Sequence, residues 1–331
     1  MSSSVRPEHG TGHLSGLVQA RAEAAYLGLA LGDALGATVE FMTPREIQSR
    51  YGVHREIRGG GWLNIKPGQV TDDTTMALAL GRAILADGGE VRALSCARAF
   101  DDWMRSKPVD IGNTVRRNLV AFRRSGDPVA KPSEFDAGNG AAMRVLPVAL
   151  ATFGRDEVEI LEAVCAQAHV THHNPVSDAA CGFIVQSVQR FMRGDSLSAV
   201  YRACILPYVT ANPECSYRKR RRENPSGWIV ETMQVVLQSL MQTDSFEACL
   251  VDAVNRGGDA DTTAAIVGML AGAHYGLDSI PSRWLKALDP AVRGECQHQA
   301  RVLMDRSAIS SLPQSIQSRD GRENAVPLPS G

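Results

Sequence analysis

No run of about 18 apolar residues occurs anywhere in this 331-residue chain, so no stretch reads as a membrane-spanning helix. Met1 to Gly16 is rich in Ser, Gly and His and lacks the apolar core of a secretory signal; a cytoplasmic enzyme is the simplest expectation. Net charge is nearly absent as well. Thirty-five basic side chains stand against 36 acidic ones, so the overall balance favours neither nucleic acid nor an anionic membrane. Paired cysteines are missing: Cys96, Cys165, Cys181, Cys204, Cys215, Cys249 and Cys296 are odd in number, scattered, and include no CxxC. They read as reduced, mostly buried thiols and not as a disulfide frame or a zinc site. Alternating strand-like runs are scarce, and no repeat recurs at a fixed period.

Helical periodicity fills the space these absences leave. From Leu17 to Ala34, apolar residues recur every three or four positions (Leu17, Ala20, Ala24, Leu27, Leu31, Ala34). Similar stretches predict helices near 75–86, 91–104, 140–151, 157–168, 177–193, 229–241, 245–256 and 262–275. Breaks fall at Gly59-Gly60-Gly61 with Pro67-Gly68, at Pro128 to Gly140, and at the polar stretch from Pro207 to Gly227. None is a domain linker. The expectation is an all-α, single-domain fold over residues 16–304, preceded by a flexible segment 1–15 and followed by a mostly disordered tail 305–331.

Two segments share one design. Gly68-Gln69-Val70-Thr71-Asp72-Asp73-Thr74-Thr75 and Gly257-Gly258-Asp259-Ala260-Asp261-Thr262-Thr263 each run from a glycine-containing loop through two carboxylates and a hydroxyl into an apolar helix. Helix capping is the simple explanation, because Asp and Thr accept from the free N–H groups of a first turn. One cap, however, needs one acceptor. If the two helix starts meet, their carboxylates repel one another and require protons or cations, and an all-oxygen donor set selects Mg²⁺ or Mn²⁺. The spacing does not say whether they meet.

These segments, with others in the same order, resemble the ADP-ribosylglycohydrolase family, and within it the dinitrogenase reductase-activating branch. The others are Gly32-Asp33-Ala34-Leu35-Gly36 with Glu40, Asp110-Ile111-Gly112, Gly138-Asn139-Gly140 with Met143-Arg144, Thr171-His172 and Ser226-Gly227-Trp228. The resemblance runs from about Ala24 to Gly276 and implies an all-α fold with two divalent cations, Mg²⁺ or Mn²⁺, at the bottom of an ADP-ribose cleft. By position, the implied metal ligands are Thr71, Asp72, Asp73, Asp259, Asp261 and Thr262. Glu40, Asp72 and Asp110 become the implied catalytic acids, Asp110 either as general base or as holder of a guanidinium. Asn139 and Gly140 would approach ribose or phosphate, His172 would hydrogen-bond ADP-ribose, and Trp228 would stack near the nucleotide where the family often has Tyr.

Each of these residues also has a plainer reading: Glu40 as a surface acid, Asp110 as a turn cap, Asn139-Gly140 as a flexible turn, and Trp228 as core. His169, His172 and His173 are spaced as on a helix and could suggest zinc, but no carboxylate or Cys is read at a matching spacing nearby. The run Arg218-Lys219-Arg220-Arg221-Arg222 reads first as a solvated loop, and otherwise as a surface for a modified protein or a regulatory partner. It has no interleaved aromatics after Tyr217, which counts against nucleic acid. The implied reaction is release of ADP-ribose from arginine of a modified protein, with nitrogenase iron protein as leading target. Competing readings are hydrolysis of another ADP-ribosyl linkage, to serine or a small molecule, and binding of ADP-ribose without catalysis.

Overall fold

A computed structural model describes residues 11–307, with side-chain surroundings from Gly16 onward. The expected C-terminal tail beyond residue 307 and the first ten residues lie outside the described residues. In chain order the helices begin with α1 (Thr11–Gly36), α2 (Pro44–Tyr51), α3 (Asp72–Ala86), α4 (Ala93–Arg105) and α5 (Asn113–Ser125). Next come α6 (Leu146–Ala151), α7 (Glu157–Ala168), α8 (Pro175–Met192), α9 (Leu197–Val200) and α10 (Leu206–Ala211). The set closes with α11 (Ile229–Gln242), α12 (Phe246–Val254), α13 (Ala260–Tyr275), α14 (Ser282–Ala287) and α15 (Pro290–Arg306). No sheet forms among the described residues; the two β-bridges, Gly60–Ile65 and Gly138–Trp228, are isolated. The all-α expectation holds.

The central pair is α1 and α13. Every residue of α13 from Ala260 to Ala273 is buried, as is nearly every residue of α1 from Ala22 onward, so both helices lie inside the bundle. Their backbones touch. A Cβ on Gly28 would stand 2.1 Å from the Gly268 carbonyl oxygen, one on Gly32 2.1 Å from that of Ala264, and one on Gly36 2.4 Å from the Asp261 Cα. Glycine at four-residue intervals thus brings the C-terminal end of α1 against the N-terminal end of α13, closer than side chains would allow.

Two differences from the sequence reading have simple causes. The helix expected over 140–151 starts only at Leu146, because residues 138–145 are spent on turns and Pro147 suits a first turn. Among the helices not expected, which include α2, α5, α9, α10 and α14, α15 is the longest, and its buried face includes the polar Gln299. Gln299 is satisfied inside the fold by the Tyr26 hydroxyl at 2.7 Å and the Leu78 carbonyl at 3.0 Å. α1 takes in residues 11–15 and α15 extends to Arg306, slightly past the domain limits drawn from composition. All seven cysteines are free, and no helix among the described residues is long and apolar enough to cross a membrane.

Candidate metal centre

Asp33 lies near the end of α1, Glu40 in the turn that follows, Asp72 and Asp73 in the first turn of α3, and Asp259 and Asp261 at the start of α13. All six carboxylates are buried or, for Asp259, half-buried. Oxygens of Asp33, Asp73 and Asp261 lie within 4.8 Å of one another, and so do oxygens of Glu40, Asp259 and Asp261. The two Asp/Thr segments therefore meet, with Asp261 common to both trios. These trios could hold metal ions.

Capping does not account for the arrangement. Thr71 and Asp259 occupy the N-cap positions of α3 and α13, yet neither side chain makes a cap hydrogen bond. The Thr71 hydroxyl lies 3.0 Å from Asp33, 3.1 Å from Asp73 and 3.5 Å from Asp261, while the Thr262 hydroxyl lies 3.4 Å from Asp73. One hydroxyl carries one proton, so two of the three carboxylates around Thr71 face an acceptor. The Asp73 Oδ1 atom is buried without a hydrogen-bond partner. None of the six carboxylates takes part in an ion pair among the described residues.

Burial is the main reason these acids hold their protons, and their neighbours add to it. It pushes Asp33 up to about 6 against the pull of hydrogen bonds from Thr74 and Thr71, including Thr74 Oγ1 at 2.5 Å. Asp72 is pushed to about 7 by burial and then by Asp110, Asp33 and Asp259. Glu40 is pushed to about 8 by burial, although the Trp62 indole donates to it at 2.6 Å. Asp73 and Asp261 lie well above the usual carboxylate range, from burial first and then from Asp33 and Asp72 in one case and Glu40 and Asp73 in the other. A buried all-oxygen cage with an orphaned acceptor and no basic partner fits divalent cations of the hard class.

The remaining residues expected from the sequence fall around this cage. Asn139 donates to Asp259 at 2.6 Å and to Thr232 at 3.0 Å, so it orients a carboxylate of the cage. Gly140 packs on the His172 ring, where a Cβ would stand 2.7 Å from Cε1. His172 itself is buried beneath the Gly138–Gly140 turn. Its Nδ1 lies 2.8 Å from the Thr171 hydroxyl, which accepts from Arg144 at 2.8 Å. Burial, then Arg144 and Arg117, pushes the imidazole down to about 3, so it is neutral. Trp228 is exposed at the start of α11, bridged through its backbone to Gly138. Asp110 is half-buried, accepts from the Ile111 N–H at 2.7 Å, and acts through charge on Asp72, Glu40 and Asp259.

Two features were not singled out from the sequence. Asp33 carries no role in the sequence reading, although a carboxylate in the apolar stretch 24–36 of α1 was the available signal. Trp62 and Phe41 form an exposed aromatic pair beside Glu40, with ring centroids 5.4 Å apart, and nothing in their spacing announced it. Asp72, expected as a ligand, is buried in the first turn of α3 beside Asp73 and outside the two trios. The basic run is partly tied down: Arg221 pairs with Glu223 and Asp252, and Arg222 with Glu231.

Comparison with known proteins agrees with this geometry. The chain is 49% identical over 287 residues to the ADP-ribosyl-[dinitrogen reductase] glycohydrolase of Rhodospirillum rubrum, covering 87% of this chain and 96% of the relative. It is 31% identical to the ADP-ribosylarginine hydrolase Tri1 of Serratia proteamaculans, covering 81% of this chain and 75% of the relative. Among solved structures, an ADP-ribosylglycohydrolase-related protein complex superposes with a TM-score of 0.78 at 33% identity, covering 88% of this chain and 99% of that one. The ADP-ribosylglycohydrolase family model matches residues 15–317. With the fold, the cage and the sequence match in agreement, the chain belongs to the ADP-ribosylglycohydrolase family and is a glycohydrolase.

Proposed function

We propose that this glycohydrolase removes ADP-ribose from an arginine side chain of a modified protein, with dinitrogenase reductase, the nitrogenase iron protein, as its target. The names of the two relatives support the arginine linkage and the target. The observation that carries the catalytic reading is the pair of buried carboxylate trios sharing Asp261. Asp33, Asp73 and Asp261 with Thr71, and Glu40, Asp259 and Asp261 with Thr262, together with Asp72 beside them, are the residues that would hold two cations, Mg²⁺ or Mn²⁺. When bound, such cations would hold ribose hydroxyls and lower the pKa of a bound water, supplying a nucleophile at neutral pH.

Water adds to the anomeric carbon of the ribose as its bond to the guanidine nitrogen breaks. The bonding electrons go to that nitrogen, which takes a proton and departs. Positive charge develops on the ribose, and nearby carboxylates favour that state over the starting one. Asp110, half-buried beside Asp72 and Glu40, faces the departing guanidinium or takes the proton of the attacking water. Asn139 fixes Asp259, and neutral His172 supports the Gly138–Gly140 turn against which the ADP-ribose lies. Trp228 offers the nucleotide a stacking face. Work in the cytoplasm and a regulatory partner at the basic run complete the proposal.

The test is release of ADP-ribose from arginine-, serine- and aspartate-modified proteins, with Mn²⁺ and with chelator. Arginine-selective release that chelator abolishes is expected. Selective release from serine would overturn the linkage, and activity indifferent to chelator would overturn the mechanism.

A further inference from the structure

The turn between α7 and α8 carries a second cluster of a different chemical kind. Cys165 and His169 stand four residues apart at the end of α7 and so share a helix face, and Asp178 comes from α8. The Cys165 sulfur, a ring nitrogen of His169 and a carboxylate oxygen of Asp178 lie within 4.8 Å of one another. All three residues are half-buried, within reach of an ion from solvent. The expectation that no Cys or carboxylate stands near these histidines is thus corrected: Cys165 lies one turn before His169, and Asp178 is brought in by α8.

His169 Nε2 lies 2.9 Å from Asp178 Oδ2, while the other oxygen of that carboxylate is buried with no hydrogen-bond partner. The His173 ring stacks on His169, with centroids 3.7 Å apart and an interplanar angle of 16°, and is itself held by the Ala130 carbonyl at 2.7 Å. The His169 ring is therefore fixed between a stacked neighbour and a carboxylate, as metal-binding imidazoles commonly are. A plain His–Asp pair accounts neither for the thiol beside it nor for the unbonded oxygen. Sulfur, imidazole and carboxylate together select a borderline cation such as zinc, whereas the catalytic cage is all oxygen. With bond lengths of about 2.0–2.3 Å, tetrahedral ligands stand roughly 3.3–3.8 Å apart, so small side-chain adjustments would close the set.

We propose that Cys165, His169 and Asp178 form a second metal site, taking one zinc-class divalent cation with a further position left to water. The site sits where it can steady the catalytic one. The backbone carbonyls of His169 and His173 accept from Ala130 at 2.8 Å and Ser133 at 3.2 Å, and Asn174 donates to the Ser133 carbonyl at 2.9 Å. This anchors the loop that leads to Asn139, and His172 of the same turn lies under Gly138 and Gly140. A cation there ties α7, α8 and that loop into one unit.

The test uses the full-length protein in excess Mg²⁺, titrated with Co²⁺ and read for thiolate-to-cobalt charge-transfer absorption. An oxygen-only site gives no such band, so the result is independent of the catalytic proposal. One equivalent of Co²⁺ is expected to produce the band, and Zn²⁺ to remove it and raise the melting temperature. Cys165→Ser should lose the band. His169→Gln and Asp178→Asn, which leave every thiol in place, should weaken binding by at least the roughly 10–100-fold that loss of an outer partner costs. Absence of the band in the unmodified protein, or its survival in folded Cys165→Ser, would overturn the proposal, as would unchanged affinity in both other variants.

Discussion

Gly36→Ala isolates the contact that holds the two halves of the carboxylate cage together. The new Cβ would stand 2.4 Å from the Asp261 Cα and 2.5 Å from both the Ala260 oxygen and the Asp261 nitrogen, all backbone atoms that cannot rotate away. Carbon atoms rest about 3.5–4.0 Å apart, so the end of α1 and the start of α13 must separate by about 1 Å. Overpacking of this kind costs about 1–3 kcal/mol of stability. The effect on the site is larger, because Asp33 leaves with α1 while Asp261 stays with α13. Mg²⁺ tolerates little departure from bond lengths of about 2.0–2.1 Å, and a misplacement of about 1 Å at a reacting centre costs on the order of 100-fold in rate. Thermal melting, calorimetric titration with Mn²⁺ and ADP-ribose release should therefore show a folded, modestly destabilised protein with weak metal binding and little activity. If Gly36→Ala melts earlier but binds Mn²⁺ and turns over like the parent, the α1–α13 contact does not set the cage.

Removing metal should make stability depend on pH. Asp33, Asp72 and Glu40 hold protons up to about 6, 7 and 8 in the folded chain. The unfolded chain releases them near pH 4, so between about pH 4 and 8 the folded state binds more protons and its stability falls as pH rises, by about 1.4 kcal/mol per pH unit and group. Melting in chelator across that window should show this decline and saturating Mn²⁺ should flatten it; a metal-free protein that gains stability toward pH 8 would contradict it. Asp261→Asn removes the carboxylate shared by both trios, so activity should fall by more than roughly 100-fold while the metal-free protein melts higher than the parent. Retained Mn²⁺-dependent turnover would refute that role. Gly294→Ala is the opposite case: its Cβ would meet nothing within 4 Å inside α15, so stability should rise by about 0.5–1 kcal/mol with activity unchanged. A lower melting temperature would refute it.

Local pattern alone determined that this is an all-α protein and where its acidic helix starts lie, since apolar spacing and a glycine loop ending in Asp and Thr are properties of neighbours in sequence. The helices expected near 75–86 and 262–275 start two to three residues earlier, at Asp72 and Ala260. The motif resemblance carried the further expectation that the two segments converge, and with it Glu40, Asp110 and Asn139. Only the tertiary structure decided which atoms share the cage. Asp33 enters because backbone contact at Gly28, Gly32 and Gly36 carries the end of α1 against α13, while Asp72, one residue from Asp73, lies outside both trios. Cys165, His169 and Asp178 likewise become neighbours only when α8 folds back along α7. Helix-forming tendency is local, whereas a metal cage is made by packing elements distant in sequence to within a few ångströms, and that depends on every side chain left out of the way.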